Sequence, residues 1–282
     1  METLKQAFEN KYPAYAKRIL STFEKANNCE ATWENITKIN LDKFVKKLQK
    51  EVARSSSKVY CAQFKSVLNL YSDEVDLPKG FAEMLSIKND RSQNVFLTDK
   101  EIQRLIDYVP ISDSERLIRN QFVLSCLCGA RHSDVVMLTE ENIFGTTLRY
   151  VSRKTRIEAQ IPIAPAVKRI IKENEAYGFV GQEYSLTAYN YIIREICKKV
   201  GINEKIKLYQ GGRYVEGEKW EYVASHTARR SFASNLFLQG IDIYLISKMM
   251  GHVGGIQQTE KYICVPLTSV SIELKSYMSK FA

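Results

Sequence analysis

Three short basic patterns follow one another along this 282-residue chain: Gly129-Ala130-Arg131, His226-Thr227-Ala228-Arg229, and Gly251-His252 with Tyr262 ten residues further on. The chain has only three histidines, and two of them stand in these patterns. Two guanidiniums and two imidazoles are what it takes to hold a phosphodiester while a phenolate attacks it. Negative charge grows on the phosphate oxygens as the bond breaks, so without a metal the cations must come from the protein. Arginine suits the task, because its planar fork donates two parallel hydrogen bonds and stays charged. Arg131 is expected to start a helical turn after Gly129, where the helix dipole adds to an anion site. Arg229 follows His226 by three residues, which on a helix puts both on one face.

Two further groups complete the chemistry. Lys154, flanked by Arg153, Thr155 and Arg156, falls in the turn between two expected strands. A lysine on a turn that dips into a groove can give its proton to a leaving oxygen, and neighbouring cations lower its pKa toward that role. Arg153 and Arg156 compete with it for the assignment. Tyr262 is one of sixteen tyrosines and is singled out only by position, at the end of the polar, helix-like stretch Gln257–Tyr262. A free phenol titrates near about 10, so as a nucleophile it needs neighbours that take up its proton and steady the anion. Taken singly, each of these residues reads as an ordinary surface charge or packing group. Their joint order carries the argument.

Positioning such a set takes more than one core, and the length favours two domains. The first, residues 1–86, reads as helical throughout, with helices expected over 2–25, 41–52, 58–71 and around 81–85, and Ser55-Ser56-Ser57 as N-cap candidates for the third. Between Lys38 and Lys65 eight lysines and arginines face only Asp42 and Glu51. Taken alone this reads first as a solvated lysine face; two adjacent basic helices are also the footprint of a module that lies along a DNA groove, with Lys43, Lys46, Lys47, Lys50, Lys58 and Lys65 as the candidate phosphate contacts. Residues 87–94 are polar and mark a linker. The second domain, 95–282, opens with a capping-box pattern at Thr98 and Glu101. Helices are expected over 99–108 and 113–129, then a strand pair at 147–151 and 159–163, then helices over 164–175 and 187–199. An extended hairpin over 209–222 follows, with helices over 226–239, 242–250 and 257–263 and a C-terminal one at about 267–281. The fold class is therefore mainly α, with a small antiparallel β-sheet in the second domain.

The bulk numbers agree with a folded protein that favours polyanions. Hydrophobic residues make up 45% and charged residues 26%, and the net charge is +9. No apolar run reaches the ~18 residues of a membrane span, so no membrane partner is expected. The N-terminus lacks the apolar core of a secretory signal, and six scattered cysteines point to reduced thiols and a cytoplasmic setting. Cys126-x-Cys128 beside His132 lies in the apolar stretch Phe122–Cys128, where cysteine acts as a small core residue and not as a metal ligand.

The ordered set Arg131, Lys154, His226-x-x-Arg229, Gly251-His252 and Tyr262 resembles the tyrosine recombinases, also called phage integrases, over nearly the whole chain. Cys128–Val135 looks like the family's first-arginine motif, with Asp134 at its usual acidic position. Ser225–Ala233 is similar to the second box, with Ala228 and Arg230 in place of the more common Leu and His. Met250-Gly251-His252 through Tyr262 resembles the final box, with an unusual Gly254-Gly255 loop.

The resemblance implies a two-domain clamp on double-stranded DNA. Tyr262 would attack a scissile phosphate, leaving a 3′-phosphotyrosyl bond and a free 5′-hydroxyl. Arg131 and Arg229 would bind the non-bridging oxygens, and Lys154 would protonate the leaving oxygen. His226 would accept a proton or bind phosphate, His252 would hydrogen-bond phosphate, and Asp134 would orient Arg131 or its helix. Neither ATP, an essential metal nor another cofactor is implied. Four protomers on two DNA sites would exchange strands through a Holliday junction, with the C-terminal helix docked on a neighbouring protomer. No arm-binding domain is expected ahead of the first helix. The rival readings are a type IB topoisomerase-like enzyme and a DNA-binding regulator without catalysis on the same scaffold.

Overall fold

The computed structural model describes residues 2–88 and 92–265. The chain divides into two compact units: residues up to Ser92, with which 209–214 are grouped, and the remainder from Gln93 onward.

In the first unit the sequence folds into α1 (Leu4–Lys11), α2 (Pro13–Asn27), α3 (Lys38–Glu51), α4 (Arg54–Leu70) and α5 (Phe81–Met84). The single helix expected over 2–25 is two. Pro13 has no amide hydrogen to continue the ladder, so Tyr12 leaves helical geometry at φ −138° and Pro13 starts a new helix. Ser55–Ser57 are not caps either. They lie in the first turn of α4, whose N-cap is Ala53, and the Ser57 hydroxyl bonds back to the Ala53 carbonyl at 3.3 Å. The core centres on Phe64, which meets Phe8, Phe23 and Phe44 edge-on at ring separations of 5.0, 5.7 and 5.1 Å.

The second unit is built round α7 (Asp113–Cys128). Twelve of its sixteen residues are buried, so it is enclosed on nearly every side. α6 (Asp99–Asp107), α9 (Pro165–Ala176), α10 (Leu186–Lys199) and α11 (Ser225–Leu238) pack against it. Thr98 and Glu101 form the expected capping box at the start of α6. Cys126 and Cys128 sit in this core, and burial pushes the Cys128 thiol up to about 12. α7 stops at Gly129, which takes the left-handed conformation at φ +63°, and the Ser125 hydroxyl holds the reversal by donating to the Ala130 carbonyl at 2.7 Å. Arg131 is then the N-cap of the one-turn helix α8 (His132–Val135).

A three-stranded antiparallel sheet follows, formed by β1 (Ile143–Phe144), β2 (Thr147–Val151) and β3 (Glu158–Pro162). β1 is too short to show alternation in the sequence. β2 turns Leu148 and Tyr150 inward, and its last paired residue is Val151, opposite Glu158. The turn beyond is closed by Ser152 N–H to the Ile157 carbonyl at 2.9 Å and by Arg156 N–H to the Ser152 carbonyl at 2.8 Å. β4 (Lys205–Gln210) and β5 (Arg213–Glu218) form a hairpin that starts four residues before the expected 209 and turns at Gly211-Gly212. α12 (Ile243–Met249) and α13 (Gly255–Glu260) end the described elements. α13 stops two residues short of Tyr262, which lies in the turn after it and not on a helix. The helix expected over 267–281 lies outside the described residues. Among the described residues no helix is long and apolar enough to cross a membrane.

Gly129 is the tightest backbone position on this path. A Cβ there would lie 2.5 Å from the Phe232 ring, in a conformation that L-residues avoid. Gly129→Ala is expected to cost roughly 2–4 kcal/mol, combining left-handed strain with overpacking. Thermal unfolding measures it; a shift no larger than that of an exposed substitution would contradict this account of the reversal.

Candidate active site

Four elements bring the predicted groups together within the second unit. Arg131 comes from the reversal after α7, and His226 and Arg229 come from α11. His252 lies in the loop after α12, and Tyr262 lies just past α13. Arg229 is the deepest, only 1% exposed. Its Nη1 donates to the Gly129 carbonyl, and its Nη2 donates to the Met250 carbonyl at 3.2 Å and to His252 Nε2 at 2.9 Å. The guanidinium carbon also lies 5.2 Å from the centre of the Tyr262 ring. The His252 ring is 5.2 Å from the Tyr262 ring at 31°, and His226 is 6.5 Å away at 47°. Tyr262 is thus surrounded by one guanidinium and two imidazoles.

Its backbone is fixed by Ser234, whose hydroxyl accepts from Cys264 N–H at 2.9 Å and donates to the Tyr262 carbonyl at 3.4 Å. Ser234 stands on α11 eight residues after His226, so one helix face supplies both the imidazole and the anchor of the phenol's segment.

His252 has a definite tautomer. The Thr259 hydroxyl donates to the Gly255 carbonyl at 3.3 Å and so accepts, at 2.9 Å, from His252 Nδ1–H. This leaves the Nε2 lone pair to receive Arg229. Burial first, and then the charges of Arg229 and Arg131, hold the His252 pKa down to about 4. His226 is lowered as well, by burial of part of its ring and then by Arg230, Arg229, Arg131 and Lys154. Arg229 is itself lowered, chiefly by burial and then by Arg131. These groups share one electrostatic field, and it is strongly positive.

Asp134 acts at one remove from the arginine. Arg131 Nη1 donates to Ser152 Oγ at 3.0 Å, and Ser152 Oγ donates to Asp134 Oδ2 at 3.0 Å. The other oxygen, Oδ1, accepts Arg153 N–H at 2.9 Å. The carboxylate reaches the Arg131 side chain through Ser152 and also anchors the turn that carries Lys154. The dipole expected to assist Arg131 is minor, since α8 is a single turn. Ser152 was missed in the sequence, yet it continues the inward series Leu148, Tyr150 of β2 by one more step of two. Thr155 also joins the site by donating to the Gly251 carbonyl at 3.3 Å. Thr259, fully buried, gave no signal, because its partner is seven residues away across a loop.

Lys154 is exposed at the tip of the turn. It is among the charges that lower His226. Arg153 is drawn toward the Ser133 carbonyl and Glu183, and Arg156 takes a left-handed conformation at φ 58°. The third histidine, His132, stands apart from the phenol: it bonds Gln121 at 3.2 Å and packs edge-on against Tyr189.

In the first unit, Lys46 pairs with Asp42 at 2.6 Å, Lys47 pairs with Glu51 at 3.1 Å, and Lys65 bonds Ser86 at 3.0 Å. Lys43 and Lys50 are exposed and Lys58 is half-buried; none of the three pairs with another described residue.

Comparison with known proteins identifies the family. A profile of the phage integrase family matches residues 95–265. The integrase of Escherichia phage P2 is 23% identical over 176 residues, which is 62% of this chain and 44% of that protein, so the chain spans less than half of its length. The tyrosine recombinase XerC of Thermodesulfovibrio yellowstonii is 24% identical over 247 residues, covering 78% of this chain and 76% of that one. Among solved structures, the XerH site-specific recombinase bound to its palindromic difH substrate in a post-cleavage complex superposes with a TM-score of 0.67 at 15% identity. It covers 95% of this chain and 79% of XerH. The chain belongs to the phage integrase family, the tyrosine recombinases.

The depressed imidazole has a consequence for stability. His252 has an ordinary value of 6.5 and a folded value of about 4, so the unfolded chain binds this proton more readily. Its contribution is present above pH 6.5 and is lost as pH falls from there toward about 4. The melting temperature is expected to drop on acidification through this window, and to drop less steeply in His252→Gln. Equal slopes for the two proteins would show that the ring charges as freely folded as unfolded.

Proposed function

We propose that this chain is a site-specific recombinase that cleaves and rejoins DNA through Tyr262. The observation that carries the reading is the gathering of Arg229, His226 and His252 round one phenol, with Arg131 held close by. The phenol oxygen attacks the scissile phosphorus. A bond forms from phosphorus to the tyrosine oxygen, the bond to the 5′ oxygen breaks, and the product is a 3′-phosphotyrosyl link with a free 5′-hydroxyl. His226, kept neutral by burial and by four nearby cations, takes the phenolic proton. Lys154 gives a proton to the leaving oxygen. Rejoining runs the same steps backward with a 5′-hydroxyl from the partner strand. The covalent link retains the bond energy, so the cycle needs neither ATP nor an essential metal.

Arg131 and Arg229 place their forks on the non-bridging oxygens, where charge builds in the transition state. His252 at first orients Arg229 through its Nε2 lone pair. A phosphate beside the ring offsets the cations that depress its pKa, and a protonated Nε2 then donates to the phosphate. Lys43, Lys50 and Lys58 lie on helices suited to run along backbone phosphates, and four protomers on two duplex sites complete the exchange.

Covalent trapping on duplexes nicked beside the cleavage point tests the reading, with cleavage positions first mapped on DNA flanking the encoding gene. Tyr262→Phe is expected to abolish the trapped complex while leaving binding intact; undiminished trapping would falsify the choice of nucleophile. Lys154→Ala is expected to slow cleavage by roughly 10²–10⁴-fold, the usual worth of a positioned general acid. A sulfur leaving group, which needs no proton, is expected to restore most of that rate. Restoration in Arg153→Ala or Arg156→Ala instead would reassign the acid.

A further inference from the structure

Arg230 is the one cation of the second box to which the chemistry above gives no phosphate contact; it bears there only on His226. Successive helical residues diverge by roughly 100°, so it cannot follow Arg229 inward. It lies midway between His226 and Ser234 on the face of α11 that carries the Tyr262 segment. There it lines a cleft of about 500 Å³ with His226, Gly254, Gln257, Gln258, Lys261 and Tyr262. The lining holds two cations, an imidazole, a phenol and two amides, and no carboxylate.

Among the described residues nothing accepts a hydrogen bond from the Arg230 guanidinium. Its Nε is sealed from solvent without a partner. Two cations facing one cleft whose lining has no counter-charge are costly. An anion with several acceptor oxygens, bound at the Nη end of the guanidinium, supplies that counter-charge. The scissile phosphate is not the candidate, because the Arg131 and Arg229 forks and the His252 ring already converge on its two non-bridging oxygens.

We propose that Arg230, with Lys261 and Gln257, forms a second phosphate subsite, which takes the DNA backbone phosphate adjoining the one that Tyr262 attacks. This rests on the reading of Tyr262 as a nucleophile toward DNA. The guanidinium fork grips the adjoining phosphate bidentately, while Lys261 supplies a point charge and Gln257 an amide donor. Held at two successive phosphates, the strand cannot rotate about the scissile one, which keeps the leaving oxygen in line with the phenol.

The test uses the full chain and a duplex carrying its mapped cleavage site, with single uncharged methylphosphonates placed in turn at the phosphates flanking the scissile one. Binding is measured across a salt series for the unaltered chain, Arg230→Gln and Arg230→Lys. Arg230→Gln is expected to weaken binding about tenfold, the size of one charge-assisted contact, and to reduce the salt slope by about one. One flanking methylphosphonate should impose the same loss on the unaltered chain and no further loss on Arg230→Gln. Arg230→Lys should keep the slope while losing part of the affinity. Equal sensitivity of both proteins at every position overturns the subsite, as does weaker binding with an unchanged slope, the mark of a folding defect. An unaltered chain that forms no adduct through Tyr262 removes the parent reading and the subsite with it. A normal adduct without coupling at any phosphate removes the subsite alone.

Discussion

A fully buried guanidinium held by carbonyl oxygens, with no carboxylate against it among the described residues, is the interaction on which this structure turns. Arg229 makes its hydrogen bonds through Nη1 and Nη2 to Gly129, Met250 and His252, which engage donors without cancelling charge, while its Nε is buried without a partner. Burying a charge in that way costs several kcal/mol against solvation, and the electrostatic penalty grows with Arg131 close by. The fold carries the cost because three separate segments converge to supply the acceptors. An anion arriving at such a place gains what the protein has left uncompensated.

The architecture follows from that arrangement. α7 must end in a left-handed residue so that a carbonyl points at Arg229, and Phe232, three residues along α11, closes over the same glycine. The loop after α12 must present both the Met250 carbonyl and the His252 ring, whose other nitrogen is committed to Thr259 on α13. α13 in turn sets where Tyr262 emerges. The His252 ring therefore serves as an acceptor among cations, and both imidazoles are lowered first by burial and then by the charges around them.

Asp134 supplies the missing negative charge, but at a distance. Among the described residues it is the one carboxylate hydrogen-bonded into the network, and it reaches the Arg131 side chain through Ser152. Its second oxygen holds the backbone where the Lys154 turn begins, so one residue couples the first arginine to the lysine. A carboxylate in direct contact with either arginine would neutralise the site; one hydroxyl away, it orients the groups and leaves the positive field in place.

Much of this was legible in the residues themselves. Arginine, histidine and tyrosine at those spacings pointed to phosphate chemistry, and apolar periodicity located most helices within a few residues, because both are local patterns. Pro13 splitting the first helix and Ala53 capping the fourth were misjudged, since a cap is decided by which backbone groups find partners and not by the most suitable side chain nearby. Tyr262 was placed on a helix that ends two residues too soon. Sequence alone determined which chemical groups were present and in what order. Only the tertiary structure decided that Ser152 stands between Asp134 and Arg131, that Thr259 sets the His252 tautomer, and that Arg230 lines the cleft beside Tyr262 while Arg229 is buried. Those outcomes depend on distances between residues far apart in the chain, and such distances exist only once the core has packed.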